Sequence, residues 1–120
     1  MADIRQLMSI EDWEDTLRKS NEKPQLIFKH STQCPISAGA HEEWTRFVGE
    51  STGAEADFSI VRVIEERPVS SAIAEALGVT HKSPQAILVK DGKPVWDESH
   101  WRITYPFLSE KFGESGASEA

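Results

Sequence analysis

Apolar and polar positions along the chain alternate between helical and strand periods. Ile10, Trp13 and Leu17 recur at helical spacing behind Ser9, which reads as a helix cap with an acidic partner at Asp12. Pro24 breaks that pattern. Leu26-Ile27-Phe28 is then a short apolar run of the kind a buried strand makes, reaching Lys29 and His30. Ser31-Thr32-Gln33 is a polar turn, and Cys34-Pro35 opens a second helix, where the missing proline N–H would have had no partner. Ile36, Ala40, Trp44 and Phe47 are expected to line one buried face of that helix.

Gly49 to Asp57 reads as a polar connection, and Phe58 to Ile64, alternating and rich in β-branched residues, as a strand. Pro68 starts a third helix with Val69, Ala72, Ile73, Ala76 and Leu77 on one stripe, stopped by Gly78. Ala86 to Val89 is another buried strand, and Asp91-Gly92 is a two-residue hairpin signal leading into Val95-Trp96. Thr104 caps a last helix carrying Phe107, Leu108 and Phe112, and Ile4 to Met8 offers a short edge strand. Strands separated by helices imply parallel pairing through crossovers, to which the hairpin adds an antiparallel strand. The expected fold is α/β, a mixed central sheet flanked by helices on both faces. Residues 1–112 form one domain and 113–120, small and polar, a flexible tail.

Composition narrows the classes of function. A formal net charge of −7 argues against general binding to nucleic acid or to an anionic membrane. No apolar run is long enough to cross a bilayer, and the first residues lack the layout of a signal peptide. The single cysteine excludes an internal disulfide and a cysteine-rich zinc site, so no metal is expected. A free thiol persists in a reducing compartment, which points to the cytoplasm.

An isolated cysteine is most often a small buried hydrophobe. The position of Cys34 changes that reading: it follows a buried strand and a polar turn and begins a helix. There the unpaired backbone N–H groups and the helix dipole favour the thiolate, the attacking species. No Asp or Glu lies between Lys29 and Ala40 to oppose this. Ser37, three residues on, occupies the place of the second thiol in Cys-x-x-Cys redox proteins. It can hydrogen-bond the sulfur or satisfy first-turn backbone groups, but it cannot resolve a mixed disulfide. Thr32 can brace the turn. Lys29 and His30 are solvated strand-end residues or a source of positive charge near the thiol, and Glu65-Glu66 a solvated strand end. His41 lies two helical turns, roughly 10 Å, beyond Cys34, too far for a direct pair. On pattern alone Pro84 is an ordinary trans proline starting a strand; combined with the Cys34 arrangement, a cis Ser83–Pro84 bond becomes the better reading.

The stretch from Phe28 to Ser37, Phe-Lys-His-Ser-Thr-Gln-Cys-Pro-Ile-Ser, resembles the monothiol bacilliredoxin family of thioredoxin-like proteins. The likeness continues through Arg62-Val63-Ile64-Glu65-Glu66-Arg67-Pro68-Val69-Ser70, Ser83-Pro84-Gln85-Ala86 and Ser99-His100-Trp101-Arg102-Ile103-Thr104. The resemblance implies a thioredoxin-like fold with a cis Pro84 facing Cys34. It implies Cys34 as nucleophile, supported by Thr32, Pro35 and Ser37, with Ser83 and Pro84 binding substrate. The implied activity is removal of bacillithiol, or another low-molecular-weight thiol, from protein mixed disulfides. That thiol is a co-substrate, with no tightly bound cofactor. S-thiolated client proteins and a small thiol or reductase for regeneration would be the partners of a monomer. The alternatives are a redox-inert binding module and a thiol sensor or peroxidase. Peroxide chemistry usually demands a nearby arginine, and none lies between Arg18 and Arg46. His100-Trp101 is either packing against the last helix or a substrate contact.

Overall fold

A computed structural model describes residues 3–51 and 56–111. The chain runs β1 (Ile4–Gln6), α1 (Ile10–Lys19), β2 (Gln25–His30), α2 (Pro35–Gly49), β3 (Asp57–Arg62), α3 (Arg67–Leu77), β4 (Gln85–Lys90) and β5 (Lys93–Ser99). A 3-10 turn (His100–Arg102) and a final helix α4 (105–111) follow. Phe112 and the expected tail lie outside the described residues.

The five strands form one mixed sheet in the order β1-β3-β2-β4-β5. β1 and β2 run parallel to β3, whereas β4 runs antiparallel to β2 and β5 antiparallel to β4. The direction of β4 corrects the expectation that a helix between strands means a parallel pair. After α3, the connection 78–84 brings the chain back to the C-terminal end of β2, so Gln85 pairs with Lys29 and β4 runs down beside it. As a result the C-terminal ends of β2, β3 and β5 and the start of β4 all meet at one end of the sheet.

Strand alternation divides the core into two layers. Leu26, Phe28, Phe58, Ile60, Ala86 and Leu88 face Ala40, Trp44, Val48, Ile103 and Leu108 on the α2 and α4 side. Ile27, Val61, Ile87 and Val89 face Leu7, Trp13, Val69, Ile73 and Leu77 on the α1 and α3 side. Each such side chain, withdrawn from water, contributes roughly 1.5–3 kcal/mol before the entropy of ordering is subtracted.

The local signals account for the element ends. Ser9 Oγ accepts from the Asp12 N–H at 3.1 Å while the Asp12 carboxylate accepts from the Met8 N–H at 2.9 Å, a reciprocal cap. Gly78 closes α3 in the left-handed region at φ 66°. Asp91 and Gly92 both take positive φ, 53° and 74°, as a tight hairpin turn requires. The Thr104 hydroxyl accepts from the Phe107 N–H at 3.2 Å, capping α4.

Several buried faces differ from the expected stripes. In α2 the buried positions are Ser37, Ala40, Trp44 and Val48, a true 3.6-residue stripe, with Ile36 and Phe47 half-buried beside it. Ile10 is exposed and Thr16 takes its place inside, its hydroxyl donating to the Asp12 carbonyl at 2.9 Å. In α3, Ser70 is buried while Ala76 is exposed. The second helix continues through Gly49, and β3 stops at Arg62. The Val63 N–H donates to the His30 carbonyl at 2.9 Å, and the chain then turns into α3.

Candidate active site around Cys34

Cys34 is the N-cap residue of α2, with extended backbone at φ −109° and ψ 122°, and Pro35 begins the first turn. Its carbonyl accepts the first helical hydrogen bond, from the Ala38 N–H at 3.1 Å. No side chain caps this helix end and no acidic residue stands in its first turn. The thiol is partly exposed and free. The backbone N–H groups of the first turn, left without a side-chain cap, lie at the helix end that Cys34 begins.

The Ser37 hydroxyl, fully buried, accepts from the Ser31 N–H at 2.9 Å and lies 2.8 Å from His30 Nδ1. It therefore ties the loop before Cys34 to the helix after it. When His30 Nδ1 is bare, the hydroxyl proton is committed to it. When Nδ1 carries the proton, it donates to Ser37, whose own hydrogen is then no longer committed to the ring. Of its two expected roles, Ser37 thus fills the one of satisfying a backbone group, with His30 as a further partner.

His30 stacks on His41, ring centroids 4.5 Å apart and planes 20° apart, and on Phe28 at 5.8 Å. Phe28 stacks in turn on Trp44 at 5.0 Å. Burial first, and then the neighbouring His41, push the His30 imidazole below its usual value, while Glu65 pulls the other way. Burial lowers His41 as well, against a smaller opposing effect of Glu42. His30 is consequently neutral at pH 7 and half-buried, which fits neither of its two readings, a source of positive charge near the thiol or a solvated strand-end residue. His41 joins the site through the His30 ring.

Thr32 Oγ1 donates to Glu65 at 3.2 Å, which fastens the Cys34 loop to the turn after β3. A carboxylate does therefore reach the loop, through space from a segment far along the chain. Arg62 stands opposite His30 in register, and its guanidinium is engaged with Glu66 at 3.3 Å.

The Ser83–Pro84 bond is cis, as the combined pattern indicated. Pro84 is buried, and its carbonyl accepts from the His100 N–H at 3.1 Å. The Ser83 hydroxyl is buried without a hydrogen-bond partner. The pairing of Gln85 with Lys29 puts this segment beyond the same end of β2 from which the Cys34 loop departs.

Two residues stand differently from their sequence reading. Trp101 is 76% exposed and does not pack on the last helix. Trp96 does so instead, edge-on to Phe107 at 5.7 Å. Trp101 follows His100, whose φ of 57° is unusual for a residue other than glycine. Lys29 is completely buried on the α3 side, its ammonium donating to the Ser70 carbonyl at 3.1 Å. Among the described residues no group of His, Cys, Asp and Glu could hold a metal ion, and no helix is long and apolar enough to cross a membrane.

A family model described as monothiol bacilliredoxin BrxC matches residues 5–108. The chain belongs to the monothiol bacilliredoxin family. A solved structure described as having a thioredoxin fold is 33% identical, covers 89% of this chain and 91% of its own, and superposes with a TM-score of 0.77. Thioredoxin from Fasciola hepatica, 19% identical over 92% of this chain and 97% of its own, gives 0.72. A poplar thioredoxin h mutant, 18% identical over 98% of this chain and 85% of its own, gives 0.76. The two thioredoxins establish the fold alone. Membership of the bacilliredoxin family, with its thioredoxin fold, supports thiol–disulfide redox chemistry.

Proposed function

We propose that this bacilliredoxin removes a low-molecular-weight thiol, bacillithiol in the first instance, from protein mixed disulfides through Cys34. The observation that supports it best is a lone, partly exposed cysteine at an uncapped helix N-terminus, at the same sheet end as the cis Ser83–Pro84 bond. The Cys34 thiolate attacks the small thiol's sulfur. A new disulfide forms between them, the old one breaks, and the client leaves as a thiolate that takes a proton from water. A second small-thiol molecule then attacks the adduct at the small thiol's sulfur. It releases Cys34 as thiolate and leaves as the symmetrical small-thiol disulfide. The client is reduced and the small thiol oxidised, so a reductase outside this chain must restore the thiol pool. Ser83 lends its backbone to an extended client segment, in the manner of an added strand. Exposed Trp101, linked to Pro84 through the adjoining His100, offers a flat apolar contact for whatever sits over the thiol. A lone thiol of this kind works in a reducing compartment, the cytoplasm.

The test is release of bacillithiol from a thiolated client protein, followed for wild type and Cys34→Ser. Wild type should release it catalytically and the variant should not. Equal rates would favour the redox-inert binding module. Mass spectrometry of the protein purified from its own cells would identify the thiol carried on Cys34.

A further inference from the structure

On the α3 side of the sheet, Val63, Ile64, Arg67, Ser70, Ser71 and His81 line a cavity of about 350 Å³. Behind its wall lies the Lys29 ammonium, 3.1 Å from the Ser70 carbonyl and 3.2 Å from His81 Nδ1. Since the ammonium can only donate, His81 Nδ1 accepts and Nε2 carries the imidazole proton. The Ser70 hydroxyl lies 3.3 Å from the same Nδ1, which completes a fixed setting for the ring. Among the described residues, no ion pair involves Lys29, Arg67 or His81. Glu66, the acidic neighbour of Arg67, is turned to Arg62 instead. Three basic groups thus gather around one cavity, with no carboxylate among its lining residues, on a chain whose net charge is −7. A buried ammonium without a counter-ion is unfavourable, and an anion in the adjoining space would supply the missing charge.

We propose that this cavity binds a small organic anion, its carboxylate or phosphate on Arg67 and the His81 Nε2–H and its apolar body against Val63 and Ile64. Lys29 acts from behind, through His81 and Ser70. The size suits a small molecule, within the usual ligand range of roughly 300–1,000 Å³. The planar guanidinium of Arg67 can take two oxygens of either head group. Burial lowers Lys29 to about 8, which leaves it mostly charged at pH 7 and available for this role. The site is separate from Cys34, though its rim is the turn that holds the Cys34 loop through Val63 to His30 and Glu65 to Thr32.

The experiment is amide and imidazole NMR during titration with benzoate, phenyl phosphate and inorganic phosphate. Saturable shifts confined to residues 63–71 and His81 are expected with benzoate, phenyl phosphate or both, and the two arms decide between carboxylate and phosphoryl head groups. Binding should weaken about tenfold in Arg67→Ala, whose exposed side chain can be removed without disturbing the core, and in His81→Phe. Cys34→Ser should bind as well as wild type, so a failed thiol mechanism would leave this result standing. Absence of saturable shifts in the millimolar range, or shifts unchanged in both Arg67→Ala and His81→Phe, would overturn the proposal. Inorganic phosphate binding as tightly as phenyl phosphate would remove the apolar half of it.

Discussion

Lys29 and His30 are consecutive on β2, and the strand sends them to opposite faces of the sheet. Each ends beside a serine from a helix and a histidine: Lys29 with Ser70 and His81, His30 with Ser37 and His41. The parts are alike and the outcomes differ. On the His30 side the serine belongs to the helix that Cys34 begins, the rings stack into the core, and the cluster is neutral. It braces the thiol's loop, where Ser37 joins His30 to the Ser31 N–H. On the Lys29 side the cluster holds a charge and opens to a cavity. Which helix faces a strand residue, rather than the residue itself, decides whether a polar cluster is a brace or a binding surface.

The widest contrast should appear in the exchange reaction. Cys34→Ser should lower the release of small thiol from a client by on the order of a thousandfold or more, because a hydroxyl is a poor nucleophile at neutral pH. Arg67→Ala, on the other side of the sheet, should leave that rate within about twofold. A comparable loss in both variants would break the separation drawn between the two sides.

Next in size is the effect of pH on stability through Lys29. Its folded value, about 8, lies below the unfolded lysine value. Between about 8 and 10.5 the unfolded chain therefore binds more protons at this position, and stability rises with pH. Relative to Lys29→Met, wild type should gain on the order of 2 kcal/mol across that interval in denaturant melts. A flat difference between the two would mean that the ammonium is not held as described.

Ser37→Ala tests the brace. It removes the acceptor of the Ser31 N–H and the partner of His30, and should cost about 1–2 kcal/mol of stability while leaving the first exchange step largely intact. The smallest effect belongs to Trp101→Ala. At 76% exposure this side chain holds little of the core, so thermal stability should stay nearly constant. The KM for a thiolated client should rise by about three- to tenfold, corresponding to the loss of an aromatic contact of roughly 1 kcal/mol.

Much of this arrangement is legible in the amino-acid order. The apolar runs at Leu26 and Ala86, the Asp91-Gly92 turn and the Ser9, Thr104 and Gly78 helix ends carry their geometry locally, because caps and turns depend on residues a few positions apart. The helix-start position of Cys34 is legible for the same reason, and the cis Ser83–Pro84 bond emerges once two separate motifs are read together. What escapes is whatever depends on the path between elements. The direction of β4 is set by the connection after α3, not by any pattern within the strand. A lysine at a strand end reads as solvated, yet α3 passes over Lys29 and buries it. A serine in a first helical turn reads as a backbone partner, and Ser37 is one to Ser31, but its second partner, His30, comes from the strand and is set by the fold. Glu65, a carboxylate with no neighbour near Cys34 in sequence, arrives at Thr32 by folding.

The central claim is that Cys34 alone takes up the small thiol and gives it back. Intact-mass spectrometry reads this directly: the protein is mixed with a bacillithiolated client and then with free bacillithiol. The account predicts that wild type gains the mass of one bacillithiol on Cys34 as the client loses it, and that free bacillithiol restores the original mass. No adduct on wild type despite client release, or an adduct that also forms on Cys34→Ser, would contradict it.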